Sequence, residues 1–117
     1  MGWRQDIADA FTTLPGITGH ALPPANPRVG DAWPLLSEAV RAAPGVWQID
    51  ARVLVLVGSP GDPGQSIAAV DGLLDALLTM PPTVDVGWVA RTDMVIVPTA
   101  GGDRHAVEVA VTVEHIP

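Results

Sequence analysis

The chain has 117 residues, of which 48% are hydrophobic and 16% charged, and its formal net charge is −7. A chain of this length can bury one modest core but not two, so we expect a single domain over residues 1–117. All six basic residues are Arg and face thirteen Asp and Glu, a balance that disfavours binding to a nucleic-acid backbone. The absence of Cys excludes disulfides, thiolate metal ligands and Cys nucleophiles.

The N-terminus has none of the features of a secretory signal. Its first residues, MGWRQDIADAF, carry charges and lack an apolar stretch. The longest uninterrupted apolar run is Val53 to Val57, far short of the roughly 20 residues that a membrane-spanning helix needs. We therefore expect no membrane association.

The first third of the chain predicts a helix, a short strand and a long loop. Apolar residues recur at steps of three and four over 2–14, which indicates a helix that ends at Pro15-Gly16. Residues 17–22 favour a short strand. Residues 23–34 read PPANPRVGDAWP, with four Pro and no periodicity, and predict a Pro-rich arm. Such an arm either carries contacts or covers one edge of a sheet.

The middle of the chain predicts a central strand followed by a capped helix. Residues 35–43 fit a helix or a strand equally well, whereas 46–57 are rich in β-branched residues and predict a buried strand. Asp62-Pro63-Gly64-Gln65 has the spacing of a capping box at the start of a helix that runs to about residue 80. The apolar stripe expected on that helix consists of Ile67, Val70, Leu74 and Leu77, widened by Leu73 and Leu78.

The last third is β by pattern. Residues 84–90 and 93–99 predict two strands, the second joined by a loop at 100–103 to a final strand with Val107, Val109, Val111 and Val113 on one side. The order of elements contains no repeating βαβ unit. It predicts an α+β fold, with a mostly antiparallel β-sheet, two α-helices packed on one face and a long Pro-rich loop.

No motif in the sequence predicts catalysis, a cofactor or a metal. The stretch from Gly58 to Ser66 imitates a phosphate loop, but the glycine spacing is wrong and no Lys is present. His105 and His115 are ten residues apart on one predicted strand, about 33 Å, so they cannot share an ion. No Ser lies in the Gly-x-Ser-x-Gly motif of a nucleophile elbow, and Asp71 and Asp75 fit a solvated helix face.

The tryptophans divide by their surroundings. Trp47 and Trp88 occupy predicted strands, where packing against the sheet is favoured over ligand binding. Trp33 follows the Pro-rich arm and fits either packing or an exposed anchor for a partner.

The pattern as a whole resembles the small tail terminator proteins of long-tailed bacteriophages. The resemblance covers nearly all of the chain and rests on element order, on Ala32-Trp33-Pro34 after a Pro-rich segment, and on the Val-rich C-terminal hairpin. Neighbouring neck and head-completion proteins share these features.

The resemblance implies a structural virion protein without enzymatic activity, assembled in the host cytoplasm and located at the phage tail or neck. It implies a hexameric ring that caps the tail tube, stops tail polymerisation and joins the tail to the head or neck. Its partners would be other copies, the tail tube protein and a connector protein, with DNA passing through unbound. No cofactor, metal or small-molecule substrate is implied.

Two loops are the candidate contact regions, because loops on a rigid scaffold usually carry contacts. The candidates are Arg28, Asp31 and Trp33 in the arm, and Gly101, Gly102, Asp103 and Arg104 in the hairpin loop. An alternative function is a neck or head-completion adaptor that works as a monomer or dimer and binds its partners through the arm.

Overall fold

The described part of the chain folds into two helices and six strands. The computed structural model describes residues 2–59, 61–79, 85–87, 94–99 and 102–116, with backbone alone at 85–87 and 94–96. The elements in chain order are α1 (Trp3–Thr12), β1 (Thr18–Gly19), β2 (Asp31–Ala43), β3 (Val46–Gly58), α2 (Pro63–Leu77), β4 (Asp85–Gly87), β5 (Met94–Thr99) and β6 (Gly102–His115).

The strands form one sheet around β3 and β6. Its order is β1-β2-β3-β6, and β4 and β5 both pair with β6, along different stretches of that strand. Every pairing is antiparallel except that of β1 with β2, which is parallel. The chain is therefore an α+β protein with a mostly antiparallel sheet, as its sequence predicts.

Both helices pack on the same face of this sheet. Alternate side chains of β3 from Ile49 to Val57 join Phe11 of α1 and Leu73 of α2 in one core. The intervening residues Leu54 and Leu56 point to the opposite face, where they form a smaller core. Because β3 is buried on both faces near its end, it reads as a continuous apolar run.

The strands β2 and β3 form a long hairpin. Residues 35–43, which fit either a helix or a strand by pattern, belong to β2 and pair with β3 up to Ala43 opposite Val46. The two-residue turn places Gly45 at φ 76°, a conformation that glycine adopts without strain. The register shifts between Leu36 and Glu38, so the strand contains a bulge.

The helix α2 starts as predicted but buries a different stripe. The Asp62 carboxylate accepts a hydrogen bond from the backbone N–H of Gln65 (3.1 Å), and Pro63 is the first helical residue. The fully buried positions are Ser66, Leu73 and Leu77, whereas Ile67 is 57% exposed. Leu78, which follows the helix, is also exposed. The stripe predicted through Ile67 and Leu78 is therefore wrong at both ends.

Three boundaries also differ from the predictions. The strand predicted over 17–22 is only the two-residue β1, because it pairs with β2 at no more than two positions. The end of the predicted arm, 31–34, belongs to β2, and Gly102 and Asp103 of the predicted loop belong to β6. Of the strand predicted over 84–90, only Asp85–Gly87 falls within the described part of the chain, and Trp88 lies outside it.

Candidate interaction surfaces

The Pro-rich arm is fixed at its end by a polar cluster. One carboxylate oxygen of Asp31 lies 3.0 Å from His20 Nε2, and the other accepts a hydrogen bond from the backbone N–H of Arg28 (2.8 Å). Next to it, Gly30 has φ 95°, and a Cβ there would lie 2.5 Å from the carbonyl oxygen of Gly16. Asp31 thus holds the end of the arm through its contacts with His20 and the Arg28 backbone. The Arg28 side chain is more exposed than that of Asp31.

Trp33 is a core residue in this chain. Its side chain is only 5% exposed and packs with Leu54, Leu56 and Ala106 on the sheet face opposite the helices. The strand partner of Trp33 is Leu54 on β3, which directs the ring into this second core. The expectation of an exposed Trp33 anchor is therefore wrong for the single chain.

The second candidate region lies where β5 meets β6. Gly102 and Asp103 are exposed, and Thr99 pairs with Gly102 across the two strands. Arg104 is half-buried and its guanidinium donates to the carbonyl oxygen of Asp103 (3.3 Å). Gly101 lies outside the described residues. The arm leads into β2, whereas this region belongs to β6. A contact role for either region stays a prediction.

A Ser–His contact joins α2 to the sheet, and sequence spacing gave no sign of it. Ser66 Oγ lies 2.9 Å from His105 Nδ1, although the two residues are 39 positions apart in the chain. Ser66 is 0% exposed and packs against Gly58, where β3 ends. A hydroxyl buried to this extent cannot reach a substrate, so the contact acts as a structural link.

The remaining polar candidates stay apart. His105 and His115 lie at opposite ends of β6, and His20 pairs with Asp31. Asp71 and Asp75 are exposed on α2. Within the described ranges, no group of three or more His, Asp or Glu side chains is placed to hold a metal ion.

Among the described residues, only β1 covers the outer edge of β2, and the rest of that edge has no strand beside it. The strand β1 pairs with Asp31 and Ala32. All residues from 35 to 43 are exposed, and Leu35, Leu36 and Val40 are 42%, 52% and 44% exposed. Unpaired backbone groups and exposed apolar side chains are the features by which a sheet edge can pair with another chain.

The face opposite the helices is acidic along the distal half of the hairpin. Cross-strand partners share a face, so the register places Glu38 beside Asp50, and Asp50 beside Thr112. Thr112 donates to Asp50 (2.9 Å) and Arg52 to Glu108 (3.1 Å). Glu114 lies on this face as well, so the face carries four carboxylates, of which Glu108 contacts Arg52. The sequence did not predict this acidic face, because only the register of the paired strands shows which charged side chains lie next to one another.

An aromatic patch and an apolar cleft lie at opposite ends of the molecule. Trp47 is 41% exposed and lies between Arg41 on β2 and His115 on β6. These three residues form the tip patch.

At the other end of the molecule, a cleft of about 310 Å³ opens between α2, the end of the arm and β3. It is lined entirely by glycine and apolar residues, among them Ile17, Val29, Gly72, Leu73 and Ala76.

Comparison of the chain with family models, with curated proteins and with solved structures finds no match. Neither of the two described helices has the length and apolar character needed to cross a membrane.

Proposed function

We propose that the chain is a structural virion protein of a tailed bacteriophage. In this proposal, six copies form a ring that caps the tail tube, terminates tail polymerisation and joins the tail to the head or neck. Its partners are the tail tube protein and a head or neck connector protein. The observation that carries the proposal is the uncovered edge of β2.

A protein that works as a lone monomer usually blocks an edge of this kind. Proline, charges and bulges are the common means, and this chain uses Pro34 and a bulge after Leu36 near the start of the strand. The segment 35–43 nonetheless leaves three large apolar side chains exposed and has no net charge, in a chain of net charge −7. Copies that repel one another elsewhere can therefore approach along this strand. A heterologous contact of this kind closes into a ring when its rotation permits.

The acidic face supports a passage for DNA through such a ring. Glu38, Asp50, Glu108 and Glu114 share this stretch of the face with Arg52. We assign this face to the lumen, where like charge lets a polyanion slide without binding. Six copies at −7 each would carry a formal charge of −42.

Tail-tube polymerisation provides the test of this role. Purified tail tube protein is allowed to polymerise with and without the chain, and tube lengths are measured by negative-stain electron microscopy. We expect the chain to stop elongation at substoichiometric amounts and to form a ring at one tube end. Tubes of unchanged length with no density at their ends would contradict the proposal.

A neck or head-completion adaptor is the second candidate, and the ordered arm favours it. The Asp31 cluster fixes the end of the arm, while Val29 within the arm and Leu22 just before it remain exposed. Deletion of residues 23–27 leaves Arg28, Asp31 and β2 intact. Loss of connector binding with an unchanged oligomeric state would support the adaptor, whereas loss of the oligomer would favour the ring.

A further inference from the structure

The tip patch and the apolar cleft point to one contact between copies. We propose that Trp47 of one copy inserts into the cleft beside α2 of the next copy, and that Arg41 pairs there with Asp75. This inference rests on the proposed ring and adds a second contact between neighbouring copies to the one along the edge of β2.

The cleft has the size and chemistry for an indole ring. Its volume of about 310 Å³ is at the lower end of the range for ligand pockets, roughly 300–1,000 Å³, which suits one aromatic side chain. Glycine and apolar side chains line it, and the exposed Val29 forms part of its rim. Interface hot spots are enriched in tryptophan and cluster in well-packed, desolvated pockets.

A chain cannot fill its own cleft with its own Trp47. Both features lie along β3, Trp47 near its start and the cleft-lining Val55 near its end. Eight residues of strand separate them, roughly 26 Å at 3.3 Å per residue. The molecule is 49 Å along its longest axis, so the two features occupy distant parts of it. Trp47 can therefore enter such a cleft only in a second molecule.

Charge complementarity favours a second copy as that molecule. Arg41 is the strand partner of Trp47, so the tip patch carries a cation in a chain of net charge −7. Asp75 is exposed on α2, three residues after Gly72 and next to Ala76, which both line the cleft. A docked Trp47 therefore brings opposite charges together. The two surfaces differ, so the contact is heterologous and can propagate into a ring.

The test uses variants that remove one surface each. Trp47→Ala removes the inserted ring, and Gly72→Leu fills the cleft, since a Cβ at Gly72 meets no atom within 4 Å. Each variant should raise the concentration at half-assembly at least about tenfold in sedimentation velocity. Ile67→Ala removes an exposed apolar side chain on the far side of α2 and serves as the control that leaves assembly unchanged.

Mixing the two variants distinguishes this contact from any symmetric one. Trp47→Ala keeps the cleft and Gly72→Leu keeps the tip, so together they should form a 1:1 dimer that cannot extend through this contact. Native mass spectrometry would detect it at about twice the 12.1 kDa of one chain. Reversing the charges with Arg41→Asp and Asp75→Arg in one chain should restore the assembly that either change alone weakens.

The outcomes separate this inference from the proposed function. If the wild type forms rings and the variants form them equally well, the Trp47 contact is wrong while the ring stands. If the mixed variants give no dimer although the wild type assembles, the contact is likewise wrong. A wild type that stays monomeric at every concentration overturns both proposals. Circular dichroism melting confirms that each variant is folded.

Discussion

Ser66 and Gly58 face each other where α2 begins and β3 ends. The Ser66 hydroxyl contacts His105 on β6, while its backbone and side chain lie against the Cα of Gly58. The helix α2 and the strands β3 and β6 are therefore in direct contact at this point. Glycine is required at position 58 because of this close approach and not because of its backbone conformation, since its φ is not positive.

Substitution of Gly58 by Ala should destabilise the fold. An added Cβ would collide with the buried Ser66 Oγ and press on the backbone of α2, a type of overpacking that costs about 1–3 kcal/mol. Urea denaturation followed by tryptophan fluorescence measures the change in free energy of unfolding. Gly61→Ala is the matched control, because a Cβ at Gly61 meets nothing within 4 Å. Equal stability of the two variants would contradict the packing described at Gly58.

Among the elements, α1 depends on a few apolar side chains for its position. Ile7 and Phe11 are fully buried against the sheet, and Leu14 continues this stripe after the helix ends. The helix has no side-chain hydrogen bond at its N-cap. An isolated helix of ten residues is marginal in water, so tertiary packing must supply most of its stability.

Truncation of Phe11 tests that dependence. Phe11→Ala should lower the free energy of unfolding by about 3–5 kcal/mol, because it removes a buried aromatic ring and leaves a cavity. Thermal denaturation followed by circular dichroism gives the comparison with the wild type. Gln5→Ala on the exposed side of the same helix should change stability by less than about 0.5 kcal/mol. A Phe11 variant as stable as the Gln5 variant would refute the described packing of α1.

The start of α2 depends on a cap. Asp62→Ala removes the carboxylate that accepts from Gln65 N–H and should cost about 0.5–2 kcal/mol. Hydrogen exchange of the backbone amides of the first turn measures the local effect. Asp62→Asn retains an accepting oxygen and should behave nearly as the wild type. Unchanged exchange in the alanine variant would show that the cap contributes nothing.

The sequence predicted the elements whose signals are local. The Val alternation of β6 and the Asp62 cap identified a half-buried strand and a helix start, and both are present. Residues 35–43 remained ambiguous because Leu, Ala, Glu and Arg favour helices, and only pairing with β3 makes this segment a strand. The contact between Ser66 and His105 was not predicted, because the two residues are 39 positions apart in the chain.

Burial also depends on partners that spacing does not reveal. A polar Ser66 occupies the buried stripe of α2 because His105 satisfies its hydroxyl, and Ile67 is displaced to the surface. Trp33 is buried because its strand partner is Leu54, whereas Trp47 is exposed because it lies near the tip of the hairpin. Of the two roles left open for Trp33, packing is the one observed, whereas Trp47, which was expected to pack against the sheet, is 41% exposed.

At the scale of the whole molecule, the chain is elongated and its two ends differ. Its extents are 49 × 28 × 23 Å. On the acidic face of the β2–β3 hairpin, no described helix covers the half that is nearer the turn. The tip patch occupies one end and the cleft the other. An elongated subunit with different surfaces at its ends is suited to head-to-tail assembly around an axis.

The mass of the assembly in solution tests the central claim most directly. Sedimentation velocity over a wide range of protein concentration would show whether copies of the chain close around an axis. We expect a discrete species of six chains, six times the 12.1 kDa of one, whose proportion rises with concentration and which gains no further subunits. A single species of one chain at every concentration would contradict the account.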